Sequence, residues 1–298
     1  MATTGSFDKS VNKVIVTGGS GFVGSNTIKE LKAQGFEVFN YDLTEGYDIR
    51  DYKQFADIVN PGDRILHLAA VARFNDADKD PLLTLETNVL GTDNVARAAK
   101  EKNADRIVYS STGSVYMPVD GEPPITEKFT ARGNSVYACA KYQGELLIRK
   151  HNPTFVILRY GHLYGEGKIG HGAIGGFIDK MSRDLKPVVY GGKQSNDFTY
   201  ILDIVQANLL ALETENTGEV YNIGSGEELT TEGVFNIMCD VFDYHKDFDK
   251  LPARTVDPLR FVLDISKAQK KLGYVCNYPF EKGIRHFKEI YNGYALTR

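Results

Sequence analysis

Tyr137 and Lys141 stand four residues apart in Tyr137-Ala-Cys-Ala-Lys141, inside a stretch that reads as helix, so phenol and ammonium share one face. A tyrosine titrates near pH 10, about three units too high for a base at neutral pH. It needs a cation close enough to stabilise the phenolate, and Lys141 is placed to be that cation. The same spacing also fits a solvated surface pair, so the elements around it must decide.

Near the N-terminus, Val14-Ile-Val-Thr-Gly18-Gly-Ser-Gly21-Phe22-Val23-Gly24 is an apolar strand running into a GxxGxxG turn and then a helix. Glycines in such a turn admit close backbone approach to a pyrophosphate, and the helix N-terminus offers unpaired N–H groups and a positive dipole end. Gly18, Gly21, Phe22 and Val23 are therefore candidate dinucleotide contacts. The second strand ends at Asp42, whose carboxylate suits the two adenosine ribose hydroxyls and repels a 2′-phosphate. The cofactor indicated is NAD rather than NADP.

Short apolar runs at Lys13–Thr17, Phe36–Asp42, Arg64–Ala69, Arg106–Ser110 and Thr154–Arg159 alternate with helix-sized segments, the pattern of a parallel α/β sheet. Gly24–Gln34 predicts a helix closed by Gly35, and Pro81 marks the first turn of another. Glycines crowd 161–176, so a transition between parts is expected there. Beyond it, Asp203–Leu212, Ser266–Leu272 and Phe280–Tyr291 read as helices and Glu219–Ile223 as a strand. The expected division is a cofactor-binding part at 1–165, rejoined by 197–224, and a substrate-binding part at 166–196 and 225–298.

The chain has 298 residues and a net charge of −4 without a long basic run, which argues against nucleic acid or an anionic membrane as partner. Three cysteines (Cys139, Cys239, Cys276) lack metal-ligand spacing, so no metal site is expected. No apolar run approaches the roughly 20 residues of a membrane span and no signal-like stretch opens the chain. The expected location is the cytoplasm.

These features together resemble the extended short-chain dehydrogenase/reductase family, and within it the nucleotide-sugar 4-epimerases and dehydratases. The resemblance is carried by the glycine turn, Asp48-Ile-Arg-Asp51, His67-Leu-Ala-Ala70, Asn88-Val-Leu-Gly-Thr92, Ser110-Ser-Thr-Gly-Ser-Val-Tyr116, Tyr137/Lys141, Arg159, Tyr221-Asn-Ile-Gly-Ser-Gly226 and Asp264-Ile-Ser-Lys-Ala268. It implies a Rossmann-like doubly wound sheet with a smaller C-terminal substrate-binding domain. It further implies that Asp48 and Ile49 cover the adenine and that Leu68, Ala69 and Ala70 line the NAD diphosphate and ribose. Tyr160 would approach the nicotinamide, with Asn88 and Ser110 supporting that region. Thr112 becomes the hydroxyl partner of Tyr137 and Ser114 a neighbouring sugar contact. His162, Arg254 and Asp257 would contact the nucleotide-sugar substrate, expected to be UDP-linked, and Arg260 is a second cation for it or a solvated one. A homodimer through the Ser135–His151 and Leu82–Lys102 helices is implied as well.

Among the family's reactions, dehydratases place an Asp-Glu pair directly after the hydroxyl residue to remove water, and this chain has Gly113 and Ser114 there. Decarboxylases commonly carry an acid at the second of these positions. The expectation is therefore an NAD-dependent 4-epimerase acting on a UDP-hexose or UDP-hexuronic acid, with a keto-sugar reductase or a dehydratase/decarboxylase as alternative. Three departures bear on the substrate: Asn196 where the family has Arg, His162 where epimerases have Asn, and Met117-Pro118 in place of a glycine. Phe261 falls at a position whose bulk limits the sugar pocket.

Overall fold

In the computed structural model, residues 12–119, 121–168, 172–253 and 259–295 are described. The strands are β1 (Val14–Thr17), β2 (Val38–Tyr41), β3 (Arg64–His67), β4 (Arg106–Thr112), β5 (Phe155–Tyr160), β6 (His162–Tyr164), β7 (Val188–Tyr190), β8 (Ser195–Asn196), β9 (Phe198–Tyr200), β10 (Glu219–Ile223), β11 (Leu229–Thr230) and β12 (Asp249–Leu251). The helices are α1 (Phe22–Ala33), α2 (Tyr52–Ala56), α3 (Phe74–Lys79), α4 (Pro81–Leu85), α5 (Thr92–Glu101), α6 (Val136–His151), α7 (Gly172–Ser182), α8 (Ile201–Glu213), α9 (Thr231–Phe242), α10 (Ser266–Leu272) and α11 (Phe280–Ala295).

Six parallel strands form the main sheet in the order β10-β5-β4-β3-β1-β2. Alternation along each strand divides the core. Ile15, Ile65, Ile107 and Ile157 pack with α2 and α5 residues such as Phe55 and Ala96. Val14, Val16, Leu66, Val108, Val156 and Leu158 face the other way, toward a cluster that includes Ile204 and Leu212 of α8. Strand order reverses between β1 and β3, the crossing point at whose carboxyl ends such sheets bind ligands. Beyond β5 the backbone leaves this sheet for β6 to β9, returns as β10 beside β5, and leaves again as β11 and β12, so that two-stranded ladders β6–β9, β8–β11 and β7–β12 lie outside the main sheet.

Two helices differ from the sequence expectation. α1 begins at Phe22 rather than Gly24, so Gly24 lies within its first turn, where a Cβ would meet the Gly18 carbonyl oxygen at 2.3 Å. The helix closes as anticipated, with Gly35 at φ +80°. The expected Leu82–Lys102 helix is instead α4, a π turn at Glu86–Gly91, and α5. Pro81 starts α4, and the Asp80 carboxylate accepts from the Leu83 N–H at 3.0 Å, filling one of the orphan donors at that end.

Candidate active site

β4 delivers Thr112, Gly113 and Ser114 to the carboxyl edge of the sheet, and α6 delivers Tyr137 and Lys141 to the same place. Ser135 caps α6, accepting from the Ala138 N–H at 3.2 Å. Gly144 lets α6 lie close on β4, since a Cβ there would fall 2.2 Å from the Tyr109 hydroxyl oxygen. Tyr109 in turn donates to the Lys141 carbonyl at 3.3 Å and puts its ring 4.2 Å from the Lys141 Nζ. Lys141 is thereby 2 % exposed.

The Tyr137 phenol and Thr112 face the same cleft, and the Thr112 oxygen accepts from the Ser114 N–H at 3.2 Å. Burial pushes the Tyr137 phenol up to about 12, and Thr112 opposes it. Burial likewise pushes Lys141 down to about 7, against the attraction of Glu145. The spacing argument had Lys141 drawing the phenol down; in the structure burial prevails at both groups, because the cation is itself desolvated. Phe74, which sequence reasoning missed, stands edge-on to Tyr137 with ring centroids 5.2 Å apart.

From these residues a cleft of about 580 Å³ runs to the glycine turn. Gly18, at φ +69°, comes so near the loop after β3 that a Cβ would sit 2.7 Å from the Ala69 Cα. Gly21 caps α1 without a side chain, and Phe22 and Val23 line the cleft, so the first N–H groups of a 12-residue helix meet whatever anion lies there. Asp42 is pre-oriented, accepting from the Ser20 N–H at 3.1 Å and the Thr44 N–H at 3.0 Å. Asp48 is held by Arg50 at 2.6 Å, and that hydrogen bond keeps its carboxyl below the usual range. Asp48, Ile49, Leu68, Ala69, Ala70 and Ser110 all line the cleft. A cradle that any Cβ would fill, a bare helix N-terminus and an oriented carboxylate fit a dinucleotide such as NAD.

Two expected contacts are placed differently. Asn88 lies behind the wall, its amide exchanging two hydrogen bonds with the Val71 backbone at 2.8 and 3.0 Å, so it fixes the loop rather than facing a ligand. Tyr160 lines the cleft, yet its hydroxyl donates to Asn208 at 2.5 Å, which leaves only its ring and backbone for contact.

On the substrate side, Phe261 is 3 % exposed and its ring would lie 2.6 Å from a Cβ on Gly113. His162 lines the cleft beside it, ring centroids 5.4 Å apart. Its side chain remains open to solvent, while the packed surroundings and then the Lys168 charge lower its imidazole. Asn196 is not in the cleft wall; its neighbour Asp197 is fully buried and organises Ser225 and Gly226, accepting from the Ser225 N–H at 2.7 Å. Arg260 is taken by Glu228 through two bonds of 2.7 Å, the solvated alternative. Arg254 and Asp257 lie outside the described residues.

Behind α6 sits a network the sequence did not disclose. Glu145 is fully buried and binds Arg159 at 2.8 and 2.6 Å and the Ser111 hydroxyl at 2.6 Å. Arg159 donates onward to Tyr116, which donates to Asn222 at 2.7 Å.

Among the described residues no group of His, Cys, Asp and Glu could hold a metal ion and no helix is long and apolar enough to cross a membrane. A family model described as the NAD dependent epimerase/dehydratase family matches residues 14–224. A putative UDP-glucose 4-epimerase of Methanocaldococcus jannaschii is 33% identical, over 91% of this chain and 96% of that one. A UDP-N-acetyl-alpha-D-glucosaminuronate decarboxylase of Bacillus cytotoxicus is 28% identical over 94% and 99%. The crystal structure of UDP-glucose 4-epimerase with UDP-glucose from Thermotoga maritima superposes with a TM-score of 0.89 at 27% identity, covering 95% of this chain and 99% of that one.

Proposed function

The chain belongs to the NAD dependent epimerase/dehydratase family, and from that premise we propose that it interconverts a UDP-hexose or UDP-hexuronic acid with its C4 epimer. The observation that carries this reading is the pair after Thr112. Gly113 has the Phe261 ring where any side chain would go, and Ser114 offers a hydroxyl, so neither supplies the acid or base for losing water or carbon dioxide. What remains is a group that can move one proton at O4 of a sugar.

Thr112 and Tyr137 are that group. Tyr137 takes the O4 proton as C4 is oxidised and returns it after the 4-keto sugar has turned its other face, while Thr112 donates to the oxygen as charge develops. Bound NAD supplies the hydride acceptor and donor for C4 and a positive charge in the cleft. Lys141, one turn along α6, stabilises the ionised phenol and holds the cofactor ribose; Asp42 binds the adenosine ribose; Phe22 and Val23 present N–H groups to the diphosphate. Phe261, which is buried, excludes water from the reacting atoms, and Phe74 packs edge-on against the Tyr137 ring. Ser114 and His162 orient the sugar and its phosphates, and Arg254 and Asp257 would complete the nucleotide contacts. Segments 166–196 and 225–298 form the substrate side against a cofactor part at 1–165 and 197–224.

A homodimer is supported by Leu82, Leu85, Leu90 and Leu146, which the α4–α5 and α6 stretches leave exposed. Three free thiols agree with a reducing, cytoplasmic setting.

The test is a panel of nucleotide sugars followed by NMR. C4 epimers should appear without added cofactor and without net NADH absorbance; a dehydrated or decarboxylated product, or NADH in proportion to turnover, would overturn the reading. Tyr137→Phe should slow epimerisation at least about 10²-fold.

A further inference from the structure

We propose that Arg73 and Lys168 form a two-cation clamp on the diphosphate of the bound dinucleotide, opposite the N-terminus of α1. The inference rests on the cleft being a dinucleotide site and not on the choice of epimerisation.

The clamp comes from two elements with no part in the glycine turn. Arg73 ends the loop that follows β3 and precedes α3, and Lys168 belongs to the stretch after β6. Both line the cleft. The Lys168 stretch lies along the glycine turn: the Lys168 Nζ is 5.5 Å from the ring of Phe22, the first residue of α1, and a Cβ on Gly167 would sit 3.5 Å from that ring.

Neither cation has a carboxylate partner among the described residues. The Lys168 Nζ donates to the Leu163 carbonyl at 3.0 Å, which orients the ammonium without neutralising it. Burial and then the positive charge of Arg73 lower its pKa, so the charge that acts on it most is one of its own sign. Two like charges facing one cleft, Lys168 half-buried and Arg73 exposed, gain from an anion placed between them. Cleft acids do not serve: Asp42 accepts from Ser20 and Thr44 and Asp48 from Arg50.

A diphosphate matches what the two walls offer. On one side are backbone N–H groups and a helix dipole; on the other a guanidinium fork and an ammonium, the donors suited to phosphate oxygens. Contact with Phe22 places Lys168 at the glycine turn, which favours the dinucleotide's diphosphate over that of a sugar nucleotide.

Calorimetric titration of NAD into protein freed of nucleotide tests the assignment, using wild type, Arg73→Ala, Lys168→Met and the double variant. Each single change should weaken NAD about tenfold or more, the effect of one charge-assisted contact, and Lys168→Arg should restore most of the loss. Adenosine, which has no phosphate, should bind all variants alike, and unchanged circular dichroism and melting confirm the fold. Unchanged NAD affinity in the double variant would overturn the clamp. So would a loss confined to UDP, which moves the cations to the sugar nucleotide, or an equal loss for adenosine, which makes them structural. Because binding heat is read, failure of the epimerase reading leaves this result standing.

Discussion

Lys141 and Arg159 are buried cations on either side of one carboxylate, and they end in opposite states. Arg159 sits behind α6 with both Glu145 oxygens on its planar fork. Burial works against its charge, but the Glu145 hydrogen bonds and then Tyr116 outweigh it and hold the guanidinium above its ordinary value. Lys141, one turn before Glu145, receives attraction without a hydrogen bond, and burial brings it down to about 7. The fork matches a carboxylate bidentately and an ammonium does not. The saturated pair therefore builds a wall, and the unsaturated cation keeps a proton that can leave near neutrality.

The strongest way to break this contrast is to remove the shared carboxylate. Glu145→Ala strands Arg159 in the interior, and denaturant unfolding should show a loss of about 3–5 kcal/mol; a loss under about 1 kcal/mol would mean that the pair is not the wall's anchor. Next comes the unsaturated side. Lys141→Met should cut turnover at least about 10²-fold, near 3 kcal/mol of barrier, while raising the stability of cofactor-free protein at pH 7.

The sign of that gain follows from linkage. The folded pKa of Lys141, about 7, lies below its ordinary value of 10.5. Between these limits the unfolded chain binds more protons, so wild-type stability rises with pH through that window. The Met variant lacks the rise, and its advantage should fade from pH 7 toward pH 10. Parallel pH–stability curves for the two proteins would contradict a depressed Lys141. The smallest effect is expected when both members of the saturated pair are replaced: Glu145→Met with Arg159→Met should stay within about 2 kcal/mol of wild type, since the guanidinium goes with its carboxylate and Lys141, already lowered to about 7, can shed its proton. A double variant as unstable as Glu145→Ala would show that the ionic contact itself, not its completeness, holds the wall.

The same contrast divides what the sequence discloses. Strands β1 to β5 are legible because short apolar runs are local, and the glycine turn because its backbone demands are met by residue type. That Thr112, Tyr137 and Lys141 meet is foreseeable from family spacing, and the structure brings them together. Which cation takes Glu145 is decided by side-chain geometry across α6, β4 and β5, and no linear pattern records it. The upward shift of Tyr137 is hidden for a related reason, since burial is a property of the packed cleft. Arg73 and Lys168 stand in loops far apart in sequence, without periodicity or motif to link them. That Asn88 supports the cofactor region from behind the cleft wall, through Val71, is not legible either, because its position in the chain does not say which way a wide turn points it.

That wide turn has a consequence of its own. A π turn, closed by i→i+5 bonds, holds one residue more than an α turn would. Asn88 lies in the Glu86–Gly91 turn, and its reach to Val71 depends on that surplus residue. Losing one position between α4 and α5 would let an unbroken α-helix form and swing Asn88 by about 100° around the axis, with every amino acid type at the site kept. The loop that carries Ala70 and Arg73 is thus set by a count along the chain, and a single-residue deletion there would be more harmful to cofactor binding than most substitutions.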